Sequence, residues 1–274
     1  MDLTVTEDKN SIPTALDRRQ FLRSAGVAGA SLLAVGMVAG CGGSTSPGAN
    51  PSTSSLSDVD ILNFALNLEY LEAEFYAYAT TGSGLNPSLF TGTGTQGATT
   101  GGVRVTMDAA TMAIATEIAN DEMEHVAFLR SALGSYAVAK PAINLAALGS
   151  VNTQALFLAI ARAFEDVGVS AYAGAAPLIT SKTYLQAAAQ ILAVEAYHAG
   201  NIRLQVAQQS VSTAAVDSQD ILPPPSGTKY FTNDSTNALS LIRTPRQVLD
   251  IVYGTVNVAR GGFFPAAMNG TINR

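Results

Sequence analysis

Tryptophan is absent from this chain, cysteine occurs once, histidine occurs twice, and charged residues make up only 13% of the 274. A lone cysteine excludes an intramolecular disulfide framework. Lys and Arg number 15 against 21 Asp and Glu, a net charge of −6 with no basic patch. That excludes a nucleic-acid partner, because phosphate binding needs clustered cations. Long hydrophobic runs are also missing: the stretch from Ala25 to Ala39 is weakly apolar and too short for a comfortable membrane span. What is abundant is small and apolar. Hydrophobic residues reach 47%, ample for a core and unlike a disordered chain. Long Ala-rich stretches without Pro favour closely packed helices.

Residues 1–40 read as an address. Asp17-Arg18-Arg19-Gln20-Phe21-Leu22-Arg23 resembles the twin-arginine export signal, and Ala25 to Ala39 has the length of a signal h-region. The run ends in Val38-Ala39-Gly40-Cys41, which resembles a lipobox. The expectation is export of the folded protein, cleavage before Cys41, and a lipid on Cys41 anchoring it to a membrane, facing the periplasm or cell exterior. An uncut N-terminal membrane anchor is the competing reading. Residues 41–57, rich in Gly, Ser, Thr and Pro, are expected to form a flexible tether.

Residues 58–210 carry the pattern of four helices. The first is expected over about Asp58 to Ala79, with Ser57 or Asp58 as N-cap and an inward stripe of Leu62, Ala65, Glu69, Glu72 and Tyr76. A Gly- and Thr-rich insertion over 80–102 follows, too long for a bundle turn and expected as a mobile or hairpin-like excursion. Further helices are expected over about Thr106 to Leu133, Thr153 to Ala175 and Lys182 to Gln209. Residues 211–274 form a C-terminal extension packing on the bundle. It has a short helix opened by Thr244-Pro245, and Phe263-Phe264 as core aromatics.

The four helices are two copies of one unit. Glu69 precedes Tyr76 by seven residues, as Glu165 precedes Tyr172; Glu122-x-x-His125 is matched by Glu195-x-x-His198. Offsets of three, four and seven place these groups on one helical face, and both histidines of the chain fall inside the repeat. Glu117, Asp121 and Glu124 share another face and read as solvated. Glu195 cannot be dismissed so, being the sole acid of its helix on an apolar stripe with Ile191 and Ile202. An isolated buried carboxylate is too costly to keep charged, and no Lys or Arg lies on any of the four stripes. Four glutamates balance two divalent cations, and two neutral imidazoles complete the shell. One Glu from each of two helices and Glu-x-x-His from each of the others is the carboxylate-bridged di-iron or di-manganese arrangement.

This pattern resembles the ferritin superfamily, which includes bacterioferritin, rubrerythrin and manganese catalase. "ALNLEYLEAEFY" (65–76), "EDVGVSAYAGAAP" (165–177), "VEAYHAG" (194–200) and "GGFFPAAMNG" (261–270) are similar to the bacterial ferritin-like family related to plant desiccation-related proteins. The resemblance implies an all-α ferritin-like four-helix bundle with metal-ligand roles for Glu69, Glu122, His125, Glu165, Glu195 and His198. Tyr76 and Tyr172 would then hydrogen-bond and orient ligating carboxylates. Glu72 breaks the two-fold pattern, since its counterpart is Gly168. It reads as a fifth carboxylate, a proton carrier, or the ligand in place of Glu69; the repeat favours Glu69. Function divides into a di-metal oxidoreductase acting on O₂ or peroxide in stress defence, and a non-enzymatic desiccation-type protein with a structural metal site. Iron storage in a closed shell fits poorly with a tether, an insertion and an extension. An Ala-rich exterior is compatible with a homodimer, although no motif specifies one.

Overall fold

The computed structural model describes residues 56–274. The export signal, Cys41 and nearly all of the tether lie outside the described residues. Helix α1 spans Asp58–Thr81. Ser57 opens it with a capping box, its hydroxyl accepting from the Asp60 amide while the Asp60 carboxylate accepts from the Ser57 amide. It runs past Ala79 because the Thr80 and Thr81 hydroxyls donate to the carbonyls of Tyr76 and Ala77. Gly82 then closes it at φ +84°, a conformation glycine adopts without penalty. Helix α2 spans Ala109–Leu133. It begins after the Thr106 expected from periodicity, because the Asp108 carboxylate accepts the Thr111 amide and sets the N-cap. Helices α3 (Gln154–Ala175) and α4 (Lys182–Gln208) are capped by Thr153 and Ser181, and α5 (Pro245–Val252) by Thr244.

The fold is an all-α bundle in which α1 packs chiefly on α2 and α3 on α4. The repeat in sequence is therefore a repeat of helical pairs. Helices α1 and α3 are buried on nearly every side, whereas α2 and α4 keep an exposed face.

The insertion is not the hairpin expected from its length. Strand β1 (Thr99–Thr100) pairs in parallel with β2 (Ile143–Asn144), which lies beyond α2. A parallel pair needs a long crossover, and α2 supplies it. Lys140 fixes this layer to the bundle. Its buried ammonium stands 3.6 Å from Glu74 of α1 and donates to the Gly97 carbonyl and the Thr99 hydroxyl.

The C-terminal extension is held onto α3 and α4 by buried arginines. Arg162 pairs with Asp220 at 2.8 Å and donates to the Ala214 carbonyl. Arg203 pairs with Asp166 at 2.7 Å and donates to the carbonyls of Ile221, Lys229 and Tyr230. Removing one partner of such a pair leaves an uncompensated buried charge, at a cost of about 3–5 kcal/mol. Phe263 stacks edge-on against Phe164 with ring centroids 5.1 Å apart.

Candidate metal centre

The helical register that buries Leu62, Ile118, Ala161 and Ile191 also carries four glutamates into the middle of the bundle. Glu69, Glu122, Glu165 and Glu195 are each at most 1% exposed. They come from four different helices and meet without an intervening Lys or Arg. His125 and His198 stand among them, with ring centroids 6.4 Å apart.

The donors sort into two groups. Glu69, Glu122, His125 and Glu195 each offer one atom within 4.8 Å of the others, and so do Glu122, Glu165, Glu195 and His198. Glu122 and Glu195 belong to both. The His125 Nδ1 atom lies 3.2 Å from Glu69, 3.4 Å from Glu122 and 3.5 Å from Glu195. The His198 Nδ1 atom lies 3.0 Å from Glu122 and 3.4 Å from Glu165. Of these contacts one is a hydrogen bond, His125 Nδ1 with Glu122 Oε2. Glu69 Oε2, Glu122 Oε1, Glu165 Oε2, both Glu195 oxygens and His198 Nδ1 are buried with no hydrogen-bond partner among the described residues. A buried acceptor left bare costs about 1–3 kcal/mol, more when charged. Six such atoms converging at one place are what a metal-binding cluster presents. Carboxylate with imidazole is a donor set that iron and manganese accept, so the residues present fit the expected group.

The electrostatics say the same. Burial raises Glu195 well above its ordinary range, and its carboxylate neighbours add to the effect. Burial likewise pushes Glu122 up to about 7. Burial works against charge on His198, but Glu122 and Glu165 outweigh it and push the imidazole up to about 11. His125 is raised in the same sense by Glu69, Glu122 and Glu195 against the effect of burial. Without metal, protons on the imidazoles are the positive charge available to the cluster.

Two tyrosines cross between the helical pairs. The Tyr76 hydroxyl of α1 donates to Glu165 Oε1 of α3, and the Tyr172 hydroxyl of α3 donates to Glu69 Oε1 of α1. Burial raises both phenols well above their usual range, with Glu165 and Glu69 next in effect, so both remain donors. Each leaves the other oxygen of its glutamate facing the cluster. Glu72 also reaches the site. It is 6% exposed and makes no hydrogen bond to any described residue. Burial raises its carboxyl well above the ordinary range, reinforced by Glu195 and Glu122. It belongs to neither four-donor group.

Asp121 lies on the solvated face of α2 that the sequence indicates, its side chain 44% exposed, but its contact with His198 was not foreseen. Its carboxylate stands 3.1 Å from His198 Nε2. It accepts the Nε2 proton and leaves Nδ1 turned to Glu122 and Glu165. Such a partner fixes the tautomer and orientation of an imidazole ligand. Its counterpart in α4 is Val194, so the repeat carried no signal for it. The only clue was an acid immediately before Glu-x-x-His.

Comparison with known proteins agrees with this geometry. A family model described as a ferritin-like domain matches residues 57–208. The chain is 26% identical to the ferritin-like catalase Nec2 of Nesocodon mauritianus, over 80% of this chain and 85% of that protein. It is 31% identical to the desiccation-related protein PCC13-62 of Craterostigma plantagineum, over 51% of this chain and 50% of that one.

Proposed function

The chain belongs to the ferritin-like domain family, and from that premise we propose that its buried cluster holds two divalent ions, iron or manganese, and disproportionates hydrogen peroxide. Glu69 and His125 would hold one ion and Glu165 and His198 the other, with Glu122 and Glu195 within reach of either. The observation that carries the reading is the set of buried oxygen and nitrogen atoms left without partners at the centre of the bundle. The likeness to a ferritin-like catalase supports peroxide as the substrate.

Disproportionation needs no external reductant. One peroxide gives up two electrons and two protons to become O₂, and the other takes both pairs, breaks its O–O bond and becomes two waters. When bound, a pair of redox-active ions supplies storage for the two electrons between the half-reactions. The protein supplies the rest. Tyr76 and Tyr172 hold Glu165 and Glu69 in place, Asp121 holds His198, and Glu72 offers a carboxyl able to take and return a proton beside the cluster. Burial of the whole constellation restricts access by bulk water.

The test is O₂ evolution from hydrogen peroxide by protein reconstituted with manganese or iron, against the same protein stripped by chelator. Metal-dependent evolution supports the reading. Full occupancy without O₂ evolution, accompanied by thermal collapse on chelation, would favour the structural role suggested by the likeness to a desiccation-related protein.

A further inference from the structure

A cavity of about 770 Å³ opens between α3 and the C-terminal extension and ends beside the cluster. Its walls are Leu68 and Leu71 of α1, Ala159 and Ala163 of α3, and Ile251 and Phe263 of the extension. Its floor is Glu72 and Gly168. Hydrogen peroxide fills only a small fraction of such a volume, which is in the range that holds an organic ligand.

The floor is where the two copies of the repeat differ. Glu72 in α1 corresponds to Gly168 in α3, and the structure brings the two together. A Cβ at position 168 would lie 2.6 Å from Glu195 Oε2 and 3.3 Å from Glu72 Oε1. The glycine therefore removes the side chain that would otherwise separate the cavity from the Glu195 carboxylate. Glu72 is more than nine-tenths buried, has no hydrogen-bond partner among the described residues, and borders the cavity. Arg162, the only basic residue among the described residues of the wall, commits Nη1 and Nη2 to Asp220, Asp166 and the Ala214 carbonyl, with its buried Nε left over. The acids on the wall, Glu72, Asp217 and Asp250, outnumber this one paired base and disfavour an anionic ligand, and an unpartnered acceptor waits at the inner end.

We propose that this cavity is a binding site for an uncharged organic molecule with an apolar body and a terminal hydroxyl or hydroperoxyl group. The apolar body lies between Ala159, Ala163 and Ile251, and the terminal group donates to Glu72 at the edge of the cluster. The site rests on the metal-centre reading for its purpose, but its existence can be measured separately. It would admit an organic hydroperoxide to the electron-accepting half-reaction alone: its O–O bond breaks, it takes two electrons and two protons and leaves as an alcohol and water, while hydrogen peroxide supplies them and leaves as O₂.

The experiment is an NMR titration of the full chain with cumyl alcohol, an unreactive stand-in for an aryl hydroperoxide. Saturable binding at one site per chain is expected. Ala159→Phe and Ala163→Phe, two half-buried wall positions one helical turn apart, should each weaken it at least tenfold, with metal content and melting temperature unchanged. 4-Isopropylbenzoate, a similar body with a negative charge, should bind at least tenfold more weakly than the alcohol. Protein loaded with manganese(II) should relax the bound alcohol's protons much faster than protein loaded with zinc(II). Absence of saturable binding, or binding indifferent to both substitutions, overturns the site. Equal binding of the benzoate overturns the uncharged class. Equal relaxation at full metal occupancy overturns its position beside the centre. Protein that takes up no metal would instead overturn the two-ion reading, while the titration and the two variants would still decide the cavity.

Discussion

Replacing Glu195 by glutamine keeps the shape of the side chain and removes one charge from a cluster that has too many. Glu195 is fully buried, and neither of its oxygens has a hydrogen-bond partner. In the metal-free protein it is a liability. Its carboxyl is raised well above the usual range, chiefly by burial. The folded state therefore binds a proton that the unfolded state has lost once pH exceeds the ordinary carboxylate value. Stability falls as pH rises through that interval, by at most about 1.4 kcal/mol per unit. Glu195→Gln removes this loss along with part of the cost of an unsatisfied group, about 1–3 kcal/mol. For a domain of this size about 2 kcal/mol corresponds to a rise of roughly 4–8 °C in Tm. With metal present the sign reverses. On the proposed assignment the variant loses a carboxylate within reach of both ions, and each site filled at a free concentration of 100 Kd stabilises the fold by about 2.7 kcal/mol. Thermal melts of wild type and variant, with chelator and with manganese or iron, between pH 6 and 8, make the comparison. The expected result is a variant more stable than wild type without metal, increasingly so at higher pH, and less stable with metal. Destabilisation of similar size under both conditions would refute the reasoning and make Glu195 a structural residue.

Glu69→Gln should deplete the metal pair, whereas Glu72→Gln should retain both ions and slow peroxide turnover; metal stoichiometry measured on both variants checks this, and the reverse pattern would give Glu72 the ligand role. Asp121→Asn should weaken metal binding at the His198 side by about 10–100-fold, read by competition with a chromogenic chelator, because the amide can present a donor to Nε2 and undo the tautomer. Cys41→Ser should release the protein from the membrane fraction or leave it uncleaved, and an unmodified Cys41 thiol in wild type from its native host would exclude a lipid anchor.

The bundle was legible because its apolar residues recur at helical spacing and because Glu-x-x-His occurs twice, at 122–125 and 195–198, in a chain with two histidines. Family membership and the all-α fold follow from the same residues. The closeness of Glu72 to the cluster was also readable from its place on the α1 stripe. Other features depend on what one segment brings to another, which periodicity does not encode. Asp121 looks solvated from α2 alone, and only α4 delivers His198 to it. The parallel β1–β2 pair joins residues far apart in sequence, and no hairpin turn announces it. Beyond Asp166, Arg162 and Arg203 find their partners in the extension, which presents Asp220 and backbone carbonyls. Helix ends shifted where a cap decided them, at Asp108 and Gly82, rather than the apolar period.

The central claim is that two metal ions sit between Glu69, Glu122, His125, Glu165, Glu195 and His198. Elemental analysis of the protein purified from its native compartment, joined to anomalous diffraction from its crystals, tests it most directly. Two ions of iron or manganese per chain are expected, with anomalous peaks between Nδ1 of His125 and Nδ1 of His198 and the four carboxylates. A chain free of transition metal that keeps its full thermal stability, or peaks placed outside these six residues, would contradict it.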